Sequence, residues 1–428
     1  MGPAMELAAT KTTTWIIQPE RALTAFLFFS LFYFSYLYFF PFDQGISAAP
    51  AAVKAAKDGV YAILLLALAP SFRFTKDWRE WIFVPLVVAL LITSVIHGSH
   101  TDLKEQIWQN IKNIAIFIPI YHIAFQMDRS QRDRLTFWTF TALIFAAITQ
   151  SIFSFAFDWT GGKLWADHVF AGLIGNPNSF SLVLNLAFGV VLAFIPSMSA
   201  RIFIASLAMI ALLFVTILHT TSGSQAAIFV LLIPYAAIVM RAKWHRFLAV
   251  ALIVAAAIVA NQRAVDNTTY SVSGITEALQ EEMPNTELLA EQLAEAAPEQ
   301  EISSSVTTRV RIVRLAISVF ENPADAVFGS FSTDSYTPMD GQFFVFLYNG
   351  GLLLLLSLAA PAALIYLQSL MSVWRTRNQH EAALHFMLVA FGITFLPSRI
   401  LMYYPLNFIF FMVCGLIMAA IHRNRYQS

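Results

Sequence analysis

The chain has 428 residues, of which 58% are hydrophobic, 14% aromatic and 12% charged, and its mean hydropathy is +0.66. Soluble domains carry roughly twice that charged fraction, so a soluble globular fold is excluded, and no nucleic-acid partner is expected. The 26 basic and 26 acidic residues cancel, which leaves the information in where the charges sit.

Apolar runs follow one another at about 22–42, 54–70, 81–97, 111–126, 135–157, 179–196, 202–219, 224–240, 247–261, 343–369, 384–398 and 400–421. Most reach the ~17–25 residues that a helix needs to cross ~30 Å of hydrocarbon. They are long and do not alternate. In lipid, where the backbone must satisfy its own hydrogen bonds, that means helices and not a barrel. The first run is long and no small-residue cleavage site follows it, so no cleavable signal is expected. Cys414 is the lone cysteine, inside the last run, and no disulfide framework is expected. The expected class is an all-α polytopic membrane protein with about 12 transmembrane helices. Its divisions are 1–260 (helices one to nine), 261–342 (one large external loop) and 343–428 (helices ten to twelve).

Charge sets the orientation. With the N-terminus inside, the inner connectors collect 16 of the 26 lysines and arginines, in clusters such as Arg129, Arg132, Arg134 and Arg241, Lys243, Arg246. Basic residues concentrate in short cytoplasmic loops, so both termini are expected to be cytoplasmic and the long loop external. The run interiors carry few ionisable groups, with His122, His219 and His385 near their ends. Ion-coupled carriers need such groups at mid-depth, which argues against one. No inverted repeat is visible. No Walker lysine loop, HExxH or paired CxxC occurs.

The external segment, about Asn261 to Asp340, begins acidic. Glutamates from Glu277 to Glu301 fill it, and no Lys or Arg lies between Arg263 and Arg309. Between Pro284 and Pro298 the spacing predicts a short amphipathic helix over 285–297, either a solubilising lid or a shield against anionic headgroups. Next, Val310, Val313, Ala316, Ile317 and Phe320 follow helical spacing. On that helix Arg311 and Arg314 share a face, while Arg309 stands on another side. Guanidinium groups hold phosphate oxygens bidentately and stay charged at any working pH. The three arginines therefore bind either a substrate phosphate or lipid headgroups. Asp340 is the last charge before the tenth run. It is either a general base on a hydroxyl or a helix cap.

Four segments together resemble the O-antigen ligase and polymerase superfamily of bacterial membrane glycosyltransferases. Gly172 through Asn176-Pro177-Asn178 resembles its Gly-x-x-x-Asn-Pro-Asn turn. Thr220-Thr221-Ser222-Gly223-Ser224-Gln225 resembles its Thr-x-Ser-Gly-Ser-Arg helix entry. Thr308-Arg309 through Asn322-Pro323 resembles the arginine segment of its large loop, and Met339-Asp340-Gly341-Gln342-Phe343 through Gly350 resembles the motif entering the next span. Two positions depart: Gln225 stands where many members carry arginine, and Asp340 where ligases carry histidine. Both lie nearer the polymerase branch.

The resemblance implies a GT-C-like fold with one large periplasmic loop in the bacterial inner membrane. It also implies transfer of a glycan from undecaprenyl diphosphate to a sugar hydroxyl, without metal or cofactor. By that resemblance Arg309 is the main diphosphate clamp, assisted by Arg311 or Arg314. Arg399, in the turn after Pro397, is a second clamp, and Asp340 acts on the acceptor hydroxyl. Asn176, Asn178 and Gln225 shape the site or touch sugar. The expected partners are the lipid-linked glycan, membrane lipid and a chain-length regulator. The leading expectation is a repeat-unit polymerase. A ligase handing polymer to lipid A–core and a non-catalytic flippase or export component are the alternatives.

Overall fold

The computed structural model describes residues 19–28, 59–60, 62–64, 66, 78–96, 111, 114–157, 169–172, 176–241, 243–262, 265, 313–330, 341–398, 401 and 406–427. Every regular element among them is helical. In order they are α1 (Pro19–Phe28), α2 (Val84–Ile96), α3 (Phe117–Gln126), α4 (Arg129–Phe157), α5 (Pro177–Phe194) and α6 (Ala200–His219). Then come α7 (Gly223–Met240), α8 (Trp244–Ala260), α9 (Pro323–Phe328), α10 (Gln342–Thr376), α11 (Gln379–Thr394) and α12 (Leu406–Gln427).

Among the described residues, seven helical stretches are long and apolar enough to cross a bilayer: Trp78–Ile96, Arg129–Phe157, Pro177–Ser197, Ala200–His219, Gly223–Met240, Gln342–Thr376 and Leu406–Arg423. The protein is thus an all-α, multi-pass membrane protein. Helix α8 is equally apolar at 17 residues. The expected helix over 285–297 lies outside the described residues.

Several helices extend past the apolar runs that announce them. Helix α4 begins at Arg129 and α11 at Gln379, about six and five residues before the hydrophobic pattern starts. Hydropathy marks where lipid begins, whereas a helix begins at its cap. Asp128 and Gln131 satisfy each other's backbone N–H groups at 3.0 and 2.8 Å, and Asn378 accepts from the His380 N–H at 2.8 Å. These close the free donors of each first turn. The early start of α11 corrects the reading of His385 as a span-end residue. It sits two turns inside and is fully buried. Its Nε2 meets the Tyr235 hydroxyl at 2.6 Å and its Nδ1 the Ser369 hydroxyl at 2.6 Å, while Tyr235 and Tyr366 hydroxyls lie 3.0 Å apart.

Helices α5 and α12 are buried along most of their length and form the centre of the bundle. A helix that is apolar on every side belongs in such a position. Around them α6 and α8 expose Ile202, Ile204, Leu248, Leu252 and Val259, the surface expected to face lipid. Phenylalanine fills the interior. Phe188 and Phe229 stack between α5 and α7, and Phe83, Phe117, Phe410 and Phe411 interlock edge to face with centroids 5.0–6.5 Å apart. Such pairs contribute about 0.5–1.5 kcal/mol beyond their burial.

Candidate active site at one end of the bundle

Helix α5 starts where Asn176 accepts the Ser179 N–H at 3.0 Å and Pro177 supplies a fixed φ at the first helical position. Proline is suited there because its missing N–H would have no partner in any case. One residue on, the Asn178 Oδ1 accepts from the Ser222 hydroxyl at 2.6 Å. The Ser181 and Thr220 hydroxyls meet at 2.6 Å, and the Phe170 N–H donates to the His219 carbonyl at 2.9 Å. The Asn-Pro-Asn turn and the Ser-Gly-Ser entry are therefore one unit. Asn178 keeps its Nδ2 group for another partner.

Gln225 lies deeper and is fully buried. Asn185 Nδ2 donates to its carbonyl at 3.0 Å and to its Oε1 at 2.8 Å, and Gln225 Nε2 donates to the Thr394 hydroxyl at 3.2 Å. These bonds tie α5, α7 and α11 together under the outer turns. Gln225 is thus a junction between helices.

The start of α10 is clipped to the end of α11. The Gln342 N–H donates to the carbonyls of Phe395 at 2.8 Å and Ser398 at 3.1 Å, and its Oε1 accepts from the Leu401 N–H at 3.1 Å. Gln342 Nε2 and the Ser398 hydroxyl are buried and have no hydrogen-bond partner among the described residues. Unsatisfied buried polar atoms are uncommon in native folds, which makes these two candidates for contact with a polar ligand. Asp340 and Arg399, next in sequence to Gly341 and Ser398, lie outside the described residues, as do Arg309 and Arg311.

Of the arginine segment, 313–318 is helical, followed by the 3-10 turn Val319–Glu321 and by α9. Arg314 is half-buried on that first turn. The inward face is Leu315, Ala316 and Val319, while Ile317 and Phe320 are exposed. Of the expected stripe, Ala316 is buried and Val313 half-buried, whereas Ile317 and Phe320 face outward and Leu315 and Val319 take their place in the packing. Asn322 caps α9 by accepting the Ala324 N–H at 3.0 Å, with Pro323 at the first position. The two Asn-Pro pairs of the chain are thus the same device used twice.

Helix α9 rests on a break in α10. Gly351 there has φ 60° and ψ −158°, inside an otherwise helical stretch. A Cβ on Gly351 would stand 2.4 Å from the Val327 carbonyl carbon and oxygen, and one on Gly329 would stand 2.5 Å from the Asn349 carbonyl carbon. The Ser330 N–H donates to the Tyr348 carbonyl at 2.8 Å. Backbone lies directly on backbone, which only glycine permits.

The described parts of the four segments therefore converge on the same end of the bundle, where α5, α7 and α10 begin and α11 ends. Sequence reading did not single out Ser222, Asn185, Gln342, Thr394 or Ser398 as site or junction residues. Asn185 and Thr394 carried a signal, each a polar residue within an apolar run. Among the described residues no three of His, Cys, Asp and Glu group together. No family model matches the chain, and no curated protein does either. The resemblance rests on its four segments.

Proposed function

We propose that the protein is a membrane glycosyltransferase that polymerises undecaprenyl-diphosphate-linked repeat units into surface polysaccharide at the periplasmic face of the bacterial inner membrane. The proposed topology has about 12 spans, both termini in the cytoplasm and one large periplasmic loop. The observation that carries the reading is the set of bonds joining the motifs at one bundle end: Ser222 to Asn178, Ser330 to Tyr348, and Gln342 to Ser398. A scaffold that gathers four separated polar segments on one side of an apolar bundle suits a site for a substrate anchored in the lipid and reacting at its surface.

In this reading an acceptor sugar hydroxyl attacks the anomeric carbon of the donor. The anomeric C–O bond breaks, undecaprenyl diphosphate leaves with the electron pair, and Asp340 receives or orients the hydroxyl proton. Arg309 holds the diphosphate, assisted by Arg311 or Arg314, and Arg399 grips it from the opposite part of the chain. Fixed cations in a partly dry site stabilise the charge that develops on the leaving group, by about 3 kcal/mol for each well-placed donor. Asn178, through its free Nδ2, and the Gln342 amide supply donors to sugar oxygens. The acidic part of the loop is proposed to act as a lid or as a shield against anionic headgroups.

The test is a strain lacking the gene. A polymerase leaves single repeats on the acceptor. A ligase leaves long chains on the carrier and none attached. Complementation with Arg309→Ala or Asp340→Asn restores neither if the catalytic reading holds, and full polymer from both variants supports an export role instead.

A further inference from the structure

The other end of the bundle carries a second set of arginines, whose chemistry does not depend on the polymerase reading. Helix α4 opens with Arg129, Arg132 and Arg134. The Arg129 side chain is 76% exposed and lies 4.0 Å from Asp133. Arg132 instead points inward with Leu135, Thr136 and Thr139 and is only 8% exposed. Its Nη1 has no hydrogen-bond partner, and its guanidinium joins no ion pair among the described residues.

A second guanidinium stands nearby. Arg423, near the end of α12, is within Coulombic reach of Arg132, and its Nη1 donates to the Phe125 carbonyl at the end of α3 at 3.2 Å. Asp133 and Glu381 also reach Arg132 electrostatically, and Arg129 adds a further positive charge. The acids have other partners. Asp133 faces Arg129. Glu381 Oε2 accepts from the Ser372 hydroxyl at 2.6 Å and the Thr376 hydroxyl at 3.2 Å. Asp128 caps α4. His380 shares its Nδ1 with the Thr136 hydroxyl at 3.0 Å.

Burial strips water from the Arg132 guanidinium, and Asp133 and Glu381, which reach it without forming an ion pair and have other partners, leave its Nη1 without an acceptor among the described residues. Two guanidinium groups close together need an anion with more than two acceptor oxygens. The first turn of α4 adds the positive end of a helix dipole. We propose that Arg132 and Arg423 form a phosphate-binding site where α3 meets α4 and α12 ends. Its ligand is a phosphomonoester or free phosphate dianion, supplied either by a phosphatidic acid headgroup or by soluble phosphate. Its three terminal oxygens offer each guanidinium a pair, one oxygen being shared, which a carboxylate or a phosphodiester with two cannot do.

The test uses the full chain in nanodiscs of phosphatidylcholine, with or without phosphatidic acid, followed by thermal unfolding and by mass spectrometry of retained lipid. The wild type gains stability and retains phosphatidic acid if the phosphate comes from lipid. Inorganic phosphate titrated into phosphatidylcholine discs produces the shift if it comes from solution, while acetate at equal ionic strength does not. Arg132→Gln weakens the response roughly tenfold or more, as loss of a charged bidentate contact does. Arg423→Gln weakens it as well, and the exposed Arg129→Gln leaves it intact. A wild type that responds to neither phosphatidic acid nor phosphate overturns the site. So does an Arg132→Gln variant that responds like the wild type. If Arg132→Gln does not fold, Arg132→Lys takes its place, and the wild-type titration decides by itself.

Discussion

Adding one methyl group at Gly351 should do unusual damage for so small a change. A glycine within a helix is ordinarily improved by alanine, by about 1 kcal/mol. Gly351, however, has φ 60° and ψ −158°, a region essentially closed to other residues, where occupancy costs about 1–3 kcal/mol. The new Cβ would also stand 2.4 Å from the Val327 carbonyl and 2.7 Å from the Ala326 oxygen. These are backbone atoms that cannot rotate aside, and overpacking of this kind costs about 1–3 kcal/mol. Gly351→Ala therefore loses roughly 2–6 kcal/mol, with α9 and the arginine segment ahead of it pushed off α10. Gly392 in α11 is the control, because nothing lies within 4 Å of a Cβ there. Gly392→Ala should match or slightly exceed the wild-type melting temperature and keep full polymer. Gly351→Ala should melt well below it and lose polymerisation. Equal melting and equal polymer for the two variants would refute the packing of α9 on the kink.

Three further outcomes are expected. Asn185→Leu strips the Gln225 Oε1 and carbonyl of their donor and should cost about 1–3 kcal/mol. Adding Gln225→Leu should recover part of that loss, so strictly additive melting shifts would count against the junction. Tyr235→Phe removes the hydroxyl that meets His385 and Tyr366, far from the proposed site. It should lower thermal stability by about 1–3 kcal/mol with polymer length unchanged; the reverse pattern would mean that the cluster has a functional role. Arg309→Lys should impair polymerisation nearly as much as Arg309→Ala, because a point charge does not replace a bidentate fork. Wild-type chain length in the lysine variant would contradict the clamp.

The spans were legible because lipid imposes one rule on every residue in them. The runs at about 179–196, 202–219 and 224–240 became α5, α6 and α7 with ends within a few residues. Helix ends set by polar caps, as at Asp128 and Asn378, escaped a hydropathy reading because the helix continues beyond the lipid. The Asn176-Pro177 pair was legible as a turn, and the structure shows both Asn-Pro pairs capping a helix, Asn176 through the N–H three residues on and Asn322 through the N–H two residues on. The role of Gly351 was hidden, since its reason is a contact with Val327, 24 positions earlier in the chain. The same holds for His385, whose partner Tyr235 lies 150 residues away. A lone polar residue in an apolar run, such as Asn185, signals a buried partner but not which one: its bond to Gln225, 40 residues on, is set by helix packing.

The central claim is that this bundle end transfers sugar from a polyprenyl diphosphate donor. Purified protein in nanodiscs, supplied with an undecaprenyl-diphosphate-linked oligosaccharide repeat, tests it most directly through chromatography of the glycan and assay of the released carrier. The account predicts glycans of two or more repeats, with one undecaprenyl diphosphate released for each new linkage. A donor recovered intact, from protein that is folded and membrane-embedded, would contradict it.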